Sequence, residues 1–414
     1  MARGGGAAAA LLALLVLGSH AGAYAQEDHD RDRAYKCFPA IFSLGDDWAD
    51  TGNARTLYPT DLEAQEEVSP YGMTFFKSPA HRLSDGRLMI DFLAQAFGMP
   101  LLSSYTTGVV SNLRHGISFA VAGSTASFSD LKVPYPLLIQ VQWVDKFQSD
   151  VLDALATGTT QPLPDPAYFR TALYVISTGQ NDYRYALQSG AMSVADVEFT
   201  VVPQVVENIT ASIALLAENL QARKFLVISV PPVGCTPEML TLFASTDPLD
   251  YDDNGCLRKL NRLSELHNEL LAAAVDRMRV LLSLQDPSYN ITFVDMYSIM
   301  TEVLYDPPKR GFSEPLLACC GAKEPYNFHE KVMCGRRMLI QNSTVLASAC
   351  SNPREYISWD GIHTTEAFNR YAVNSILEGR YVLPGDAFRC YSAEETDDST
   401  PVTPSSPPPG AGNP

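Results

Sequence analysis

The sequence has few basic residues for its length. Its 414 residues include 30 lysines and arginines against 47 aspartates and glutamates, which gives a formal net charge of −17 and an isoelectric point near 4.8. This excess of negative charge argues against nucleic acids and anionic membrane surfaces as partners. The rest of the composition, with 46% hydrophobic residues, is that of a globular protein with a large core.

The spacing patterns of common metal sites are also missing. None of the eight cysteines forms a C-x-x-C pair, and no histidine doublet lies near them, so the sequence does not indicate a zinc site. No internal repeat is visible. We expect no cofactor and no metal.

A long apolar run is found only at the N-terminus. The stretch over residues 7–17 is too short to span a bilayer, and the A-Y-A sequence at 23–25 fits a signal-peptidase site. We therefore predict a secretory signal over residues 1–25 and a protein that is extracellular or in the cell wall. A membrane anchor at the N-terminus is the alternative. No later segment is expected to span a membrane or to form a stable anchor.

The even number of cysteines is typical of disulfides in a secreted chain. Spacing alone does not fix the pairs; we favour Cys235–Cys256 as a local loop and Cys37–Cys390 as a link between the ends of the domain. The segment over 305–352 is predicted to be irregular. It contains four more cysteines, which we expect to pair among themselves: Cys319, Cys320, Cys334 and Cys350. Three N-glycosylation sequons also suit the secretory pathway: Asn208, Asn290 and Asn342.

Apolar strands alternate with helical stretches along the chain. Strands are predicted near residues 40, 117, 172, 225 and 291, and helices over 137–156, 197–220 and 260–282. This alternation predicts βαβ units, and thus an α/β fold whose central, mainly parallel sheet of about five strands lies between helix layers.

One domain is predicted over residues 26–392. The tail over 393–414 is acidic and then rich in proline, serine and glycine, so we expect it to be disordered. Within the domain, Asp85 is predicted to cap the helix that carries Leu88 and Phe92. His267 is interpreted as a packing or helix-surface residue.

Four sequence blocks carry the candidate functional residues. They read G-D-D-W-A-D-T-G-N over 45–53, H-G-I-S-F-A-V-A-G-S-T-A over 115–126, T-G-Q-N-D-Y over 178–183 and S-W-D-G-I-H-T-T over 358–365. In this order, the blocks resemble those of the plant GDSL esterase/lipase family of SGNH hydrolases, which read G-D-S-L/I-x-D-T-G-N, G-x-N-F-A-x-x-G-A-T, G-x-N-D and D-x-x-H. The resemblance covers about residues 37–390 and implies the three-layer α/β/α sandwich of SGNH hydrolases, which is flavodoxin-like.

The resemblance also implies a site that hydrolyses carboxylic esters of lipids or acetylated polysaccharides. His363 would be the general base and Asp360 would orient it, while Gly123 and Asn181 would donate hydrogen bonds to the oxyanion. The position of the nucleophilic serine carries Asp47 here. A carboxylate at that position would occupy the oxyanion donors and favour the imidazolium form of His363, so we expect esterase activity to be absent or strongly impaired.

Other functions stay open. The chain could be an active carboxylic-ester hydrolase that uses an unusual route, or a non-catalytic lipid- or glycan-binding protein on the same fold. In each case the partner would be a small-molecule or polysaccharide ligand. We expect the protein to be a monomer. Trp48 stands where the family has Leu or Ile, either as a larger core contact or as a ring that narrows the cleft. A cation site at Asp46, Asp47 and Asp50 is not expected, because Asp46 and Asp50 belong to the pattern of family members that need no metal.

Overall fold

The computed structural model describes residues 37–58, 69–107, 112–127, 133–322 and 325–388. The predicted signal over 1–25, the predicted tail over 393–414 and Cys390 lie outside the described residues.

A six-stranded sheet forms the centre of the structure. Its strands are β1 (Ile41–Gly45), β2 (Gly116–Ser118), β3 (Leu173–Ser177), β4 (Lys224–Ile228), β5 (Asn290–Val294) and β6 (Val382–Leu383). They lie in the order β6-β5-β4-β3-β1-β2, and every neighbouring pair is parallel except β5 and β6. The parallel strands thus have the 2-1-3-4-5 order of flavodoxin-like folds, in which the strand order reverses beside β1 and opens a crevice at the carboxyl ends of β1 and β3.

Helices cover both faces of the sheet. The main ones are α1 (Met89–Ala96), α2 (Leu137–Ala156), α3 (Gln180–Gln188), α4 (Val202–Asn219), α5 (Pro237–Leu242), α6 (Arg258–Gln285), α7 (Met296–Tyr305) and α8 (Glu366–Leu377). Shorter helices cover Asn53–Leu57, Tyr168–Thr171, Val194–Asp196 and Pro307–Arg310, and a π-helical turn over Val197–Val201 leads into α4.

The two faces of the sheet form two separate hydrophobic cores. Side chains alternate along β1, so that Phe42 and Leu44 pack with α2, α4 and α6, whereas Ile41 packs with α1, α7 and α8. The strands are buried on both faces, as expected of a parallel sheet between helix layers. The predicted three-layer α/β/α sandwich is confirmed, with a sixth, antiparallel edge strand that the sequence did not indicate.

The prediction that Asp85 caps the following helix was wrong. That helix begins at Met89 with Leu88 at its N-cap, and the side chain of Asp91 accepts the main-chain N–H of Leu88 at 3.0 Å. Asp85 instead accepts the main-chain N–H of Glu366 at 2.7 Å, at the start of α8. It therefore joins two segments that are far apart in the sequence.

The expectation that no later segment could span a membrane also needs correction. By length and composition alone, the helical stretch Val194–Asn219 is long and apolar enough to do so. Its apolar side chains lie in the core against the sheet, among them Val205, Ile209, Ile213 and Leu216. A core helix of a globular domain meets the same criterion, so the packing accounts for the composition.

Three disulfides join described cysteines, and none of these cysteines is free: the pairs are Cys235–Cys256, Cys319–Cys350 and Cys320–Cys334. Cys37 is also disulfide-bonded, and its predicted partner lies outside the described residues. The segment over 305–352 is more regular than predicted, because it contains short strands over Glu314–Ala318, Cys320–Gly321 and Ser348–Ala349 and a hairpin of Arg337–Ile340 with Ser343–Leu346.

The three sequon asparagines lie in different settings. Asn208 is half-buried in α4, Asn290 begins β5, and Asn342 is exposed in the tight turn of the hairpin. Their glycosylation stays a prediction.

Candidate active site

Four loops meet at the carboxyl edge of the sheet. One follows β1 and carries Asp47, one follows β3 and leads into α3, one follows β2 and carries Gly123, and the fourth precedes α8 and carries Asp360 and His363. Gly45 allows the first two loops to approach closely, because a Cβ at this position would lie 1.8 Å from the main-chain oxygen of Ser177. The topology thus brings together residues from opposite ends of the domain.

Asp47 lies at the centre of this edge and accepts hydrogen bonds from several directions. Its Oδ1 accepts the main-chain N–H of Gly123 at 3.0 Å, and its Oδ2 accepts the side-chain amide of Asn181 at 2.6 Å. His363 Nε2 lies 3.1 Å from Oδ1. The carboxylate therefore joins three residues that the sequence assigned to one site.

Asp360 holds the other side of the imidazole. Its Oδ2 lies 2.6 Å from His363 Nδ1, while its Oδ1 accepts the main-chain N–H groups of Ile362 and His363 at 3.0 and 2.8 Å. The hydroxyl of Tyr71, which is fully buried, donates to Oδ2 at 2.6 Å. These bonds fix the i, i+3 turn in which the Asp360 carboxylate orients the ring.

The two carboxylates determine the charge of His363. Burial alone would lower the pKa of this histidine, but the charges and hydrogen bonds of Asp360 and Asp47 raise it to about 10. Burial would raise the pKa of Asp47, but the hydrogen bond and charge of His363, together with Asn181, lower it to about 2. At neutral pH the site therefore holds an imidazolium between two ionised carboxylates.

Asp50 stabilises the loop that follows β1 through hydrogen bonds to its main chain. Its carboxylate accepts four main-chain N–H groups, from Gly52, Asn53, Ala54 and Ala122, at 2.6 to 2.9 Å. Asn53 in turn donates to the main-chain oxygens of Ser118 and Ala120. Because the oxygens of Asp50 are occupied by N–H donors, this residue is not available to hold a cation; among the described residues, no group of three or more His, Cys, Asp or Glu side chains could bind a metal ion.

Asp182, in the T-G-Q-N-D-Y block over 178–183, also binds main-chain N–H groups with its carboxylate. Its carboxylate accepts the main-chain N–H groups of Ala126 and Ser127 at 2.8 and 3.0 Å, and burial raises its pKa to about 6. These contacts tie the start of α3, which carries Asn181, to the loop that carries Gly123. The two donors to Asp47 are thus held at a fixed separation.

Sequence reasoning missed a partly buried ion pair beside the site. Arg184 on α3 makes two bonds of 2.8 and 2.9 Å to Glu238 on α5, and Gln188 donates to the same carboxylate. The adjacent Tyr185 donates to the main-chain oxygen of Gly123 at 3.0 Å. Only the charge complementarity of two distant segments could have indicated this pair.

Trp48 is both a core residue and a wall of the site. Its ring is buried in the core that contains α1, α7 and α8, and it lines a cavity of about 20 Å³ together with His363 and Ile362. This cavity has room for little more than a water molecule. Trp48 is therefore both a larger core contact and a ring that narrows the cleft. His267, in contrast, is fully buried in α6 and has no contact with Asp47 among the described bonds; its Nδ1 is hydrogen-bonded to Tyr183.

Comparison with known proteins places the chain in a family. The family described as GDSL-like Lipase/Acylhydrolase matches residues 41–376. A GDSL esterase/lipase of Arabidopsis thaliana is 36% identical over 84% of this chain and 90% of its own length, and an esterase of Hevea brasiliensis is 34% identical over 87% and 89%. The crystal structure of a GDSL-like lipase from Parabacteroides merdae matches 86% of this chain and 99% of its own chain at 12% identity, with a TM-score of 0.34. On the family match and these relatives, the chain belongs to the GDSL esterase/lipase family of carboxylic ester hydrolases.

Proposed function

We propose that this protein does not hydrolyse esters by the serine route of its family, because Asp47 stands at the nucleophile position and acts as an internal anion. The observation that carries this proposal is the set of bonds that Gly123, Asn181 and His363 make to the Asp47 carboxylate. Gly123 and Asn181 are the donors expected to receive the oxyanion of an ester intermediate. With a resident carboxylate in their place, the developing negative charge of that intermediate would be repelled.

The protonation of His363 acts in the same direction. A general base must be neutral to accept a proton, whereas the pKa of His363 is raised to about 10 by its two carboxylate neighbours. Loss of the nucleophile in a triad typically lowers turnover about 10⁶-fold, leaving roughly 10³–10⁴-fold over water. Both effects are expected from the single side chain at position 47.

The test is hydrolysis of p-nitrophenyl acetate by the full chain and by the variants Asp47→Ala and His363→Ala. We expect the wild type and both variants to stay within about tenfold of the same low rate. Robust wild-type turnover that survives Asp47→Ala but is lost in His363→Ala would overturn the proposal.

The alternative of a binding protein predicts a retained cleft without turnover. The cavity beside His363 is lined mainly by apolar groups, among them Trp48 and Met300, which suit an acyl group better than a sugar ring. Because the cavity has room for little more than a water molecule, its walls would have to move apart to admit such a group. A thermal shift with a short-chain fatty ester, without release of its alcohol, would support this function. A shift with acetylated xylan alone would point to a glycan ligand instead.

The cellular setting belongs to the same proposal. We infer a secreted, N-glycosylated protein from the signal-like N-terminus and the sequons, and the disulfides support an oxidising compartment. Expression in a secretory host, followed by N-terminal sequencing and glycosidase treatment, tests it. A chain that begins at Gln26 and loses mass on deglycosylation is expected; an uncleaved, unglycosylated chain would contradict it.

A further inference from the structure

A second cavity lies along α8 and shares no lining residue with the cavity beside His363. Its volume is about 330 Å³, against about 20 Å³ for the cavity beside His363, and Asp47 does not line it. Sites for small molecules typically measure about 300–1,000 Å³. This cavity is therefore large enough for a ligand of the size of one sugar ring.

Three arginines from separate segments line this cavity. Arg310 ends the short helix Pro307–Arg310, Arg354 lies in the 3₁₀ turn Pro353–Glu355, and Arg370 lies on α8. The fork of N–H donors on a guanidinium matches the two oxygens of a carboxylate. In a chain with a formal net charge of −17, the convergence of three arginines on one cavity indicates an anionic ligand.

The carboxylates of the protein do not occupy all of these guanidinium donors. Arg310 Nη2 lies 2.7 Å from Glu302, whereas Arg370 Nη2 lies 3.6 Å from Glu366, which is too long for a hydrogen bond. The side chain of Arg354 is exposed and forms no hydrogen bond or ion pair with any residue that the structure describes. Arg354 is therefore free to bind a carboxylate, and Arg370 keeps most of its donors.

The two carboxylates in the cavity wall are already bonded within the protein. Asp85 accepts the main-chain N–H of Glu366 at 2.7 Å and the hydroxyl of Thr74, while Glu366 accepts the main-chain N–H and Nη2 of Arg87 at 2.9 and 2.8 Å. Even when both carboxylates are ionised, the three lining guanidiniums leave a net charge of one positive unit. This balance favours a monoanion over a dianion.

We propose that this cavity binds a uronic acid, which is a sugar ring with one carboxylate, through Arg354 and Arg370. The other walls provide groups for the hydroxyls and the C–H faces of such a ring. The exposed side-chain amide of Asn374 has no hydrogen bond within the described part of the chain, and the rings of Phe312 and Tyr371 contact each other edge to face. Binding here neither requires nor excludes ester hydrolysis, because the cavity contains none of the residues bonded to Asp47.

The experiment is isothermal titration calorimetry of the full chain with D-galacturonate. D-galactose is the matched ligand, because a neutral hydroxymethyl group replaces the carboxylate on the same ring. We expect saturable binding of galacturonate, about tenfold or more tighter than that of galactose, since the bonds to the guanidiniums are charge-assisted. The affinity for galacturonate should fall as NaCl is added, because salt screens exposed charges.

Variants of Arg354 locate the binding site. Arg354→Gln should weaken galacturonate binding about 10- to 100-fold and leave galactose binding unchanged. Arg354→Lys, which keeps the charge but not the planar fork, should lie between Arg354→Gln and the wild type. The control is Arg277→Gln on α6, since Arg277 is also exposed, has no bonded partner in the described chain and does not line the cavity.

Three results would overturn the proposal. The first is equal affinity for galacturonate and galactose, or no binding of either; the second is an equal loss of galacturonate binding in Arg354→Gln and Arg277→Gln. The third is displacement of galacturonate by inorganic phosphate at a lower concentration than galacturonate itself needs, which would show a phosphate site instead. None of these results would alter the rates expected with p-nitrophenyl acetate.

Discussion

Two buried histidines of this chain differ in charge at neutral pH: His363 is an imidazolium and His267 is a neutral ring. His363 lies between Asp47 and Asp360, and its pKa is raised to about 10, whereas His267 has only the hydroxyl of Tyr183 as a partner at Nδ1, and burial lowers its pKa to about 3. Both side chains are almost completely removed from solvent. The difference shows that burial alone does not determine whether a histidine of this fold is charged; the number of carboxylates in contact does.

The comparison also explains how one substitution can change a whole site. With a serine at position 47, His363 would have one carboxylate partner and could be neutral near pH 7. With Asp47, His363 has two carboxylate partners, one at each ring nitrogen, and both stabilise the protonated ring. The chemistry available to His363 therefore depends on the charge at position 47, and each of the following variants changes one part of this relation.

The largest effect is expected from Asp47→Ser. This variant restores a hydroxyl nucleophile, frees the donors of Gly123 and Asn181, and lowers the pKa of His363 because one carboxylate is removed. We expect hydrolysis of p-nitrophenyl acetate to rise by on the order of 10³-fold or more over the wild type. Its rate should increase with pH as His363 loses its proton, and Asp47→Ala is the matched control without a nucleophile. A folded but inactive Asp47→Ser would mean that the rest of the site no longer supports acyl transfer.

The two histidines should also differ in what they contribute to stability. His363→Gln removes the imidazolium that lies between the carboxylates of Asp47 and Asp360, and breaking a buried ion pair costs about 3–5 kcal/mol. His267→Gln removes a neutral ring and its hydrogen bond to Tyr183, for which about 1–3 kcal/mol is expected. Urea unfolding of both variants measures the difference. Equal losses would show that His363 is not charged in the folded protein.

The fold could be predicted more fully than the site. β1, β3, β4 and β5 are short, mainly apolar segments that are followed by turns, so they could be recognised from local sequence alone. The edge strand β6 has two residues and depends on pairing with β5, which local sequence does not encode.

The parts of the site that were missed depend on distant contacts. Asp85 bonds to the main chain of Glu366, 281 residues away, and this contact replaced the local cap that its position suggested. The pair of Arg184 and Glu238 joins α3 to α5 and matches no motif. Asp47, Asp360 and His363 could be assigned to one site by resemblance, but their distances and the resulting proton on His363 required the fold.

The pH dependence of stability should separate the two histidines by its sign. The pKa of His363 is raised on folding, so its contribution is fully present below about pH 6.5 and is lost as the pH rises toward 10. The pKa of His267 is lowered, so the unfolded chain binds a proton that the folded chain does not, and stability falls as the pH decreases from about 6.5 toward 3. Chemical denaturation between these limits, with His363→Gln and His267→Gln as controls, measures each slope. His363→Gln should flatten the alkaline side, and it should also change the slope below about pH 4, because His363 lowers the pKa of Asp47. His267→Gln should flatten the slope between about pH 6.5 and 3 and leave the alkaline side unchanged; the reverse assignment would contradict both histidine pKa directions.

The smallest effects are expected from the two tyrosines that serve these histidines. The hydroxyl of Tyr71 donates to the ionised Asp360 at 2.6 Å, whereas the hydroxyl of Tyr183 bonds to the neutral ring of His267. A hydrogen bond to a charged group contributes about 1.5–3 kcal/mol and one between neutral groups about 0.5–1.5 kcal/mol. Tyr71→Phe should therefore destabilise the protein more than Tyr183→Phe in urea unfolding, although both side chains are fully buried and each variant removes a single hydroxyl. Because the Tyr71 hydroxyl withdraws part of the negative charge of the Asp360 carboxylate, its loss should raise the pKa of His363 further, which NMR of the ring nitrogens can follow; a lowered pKa would contradict this.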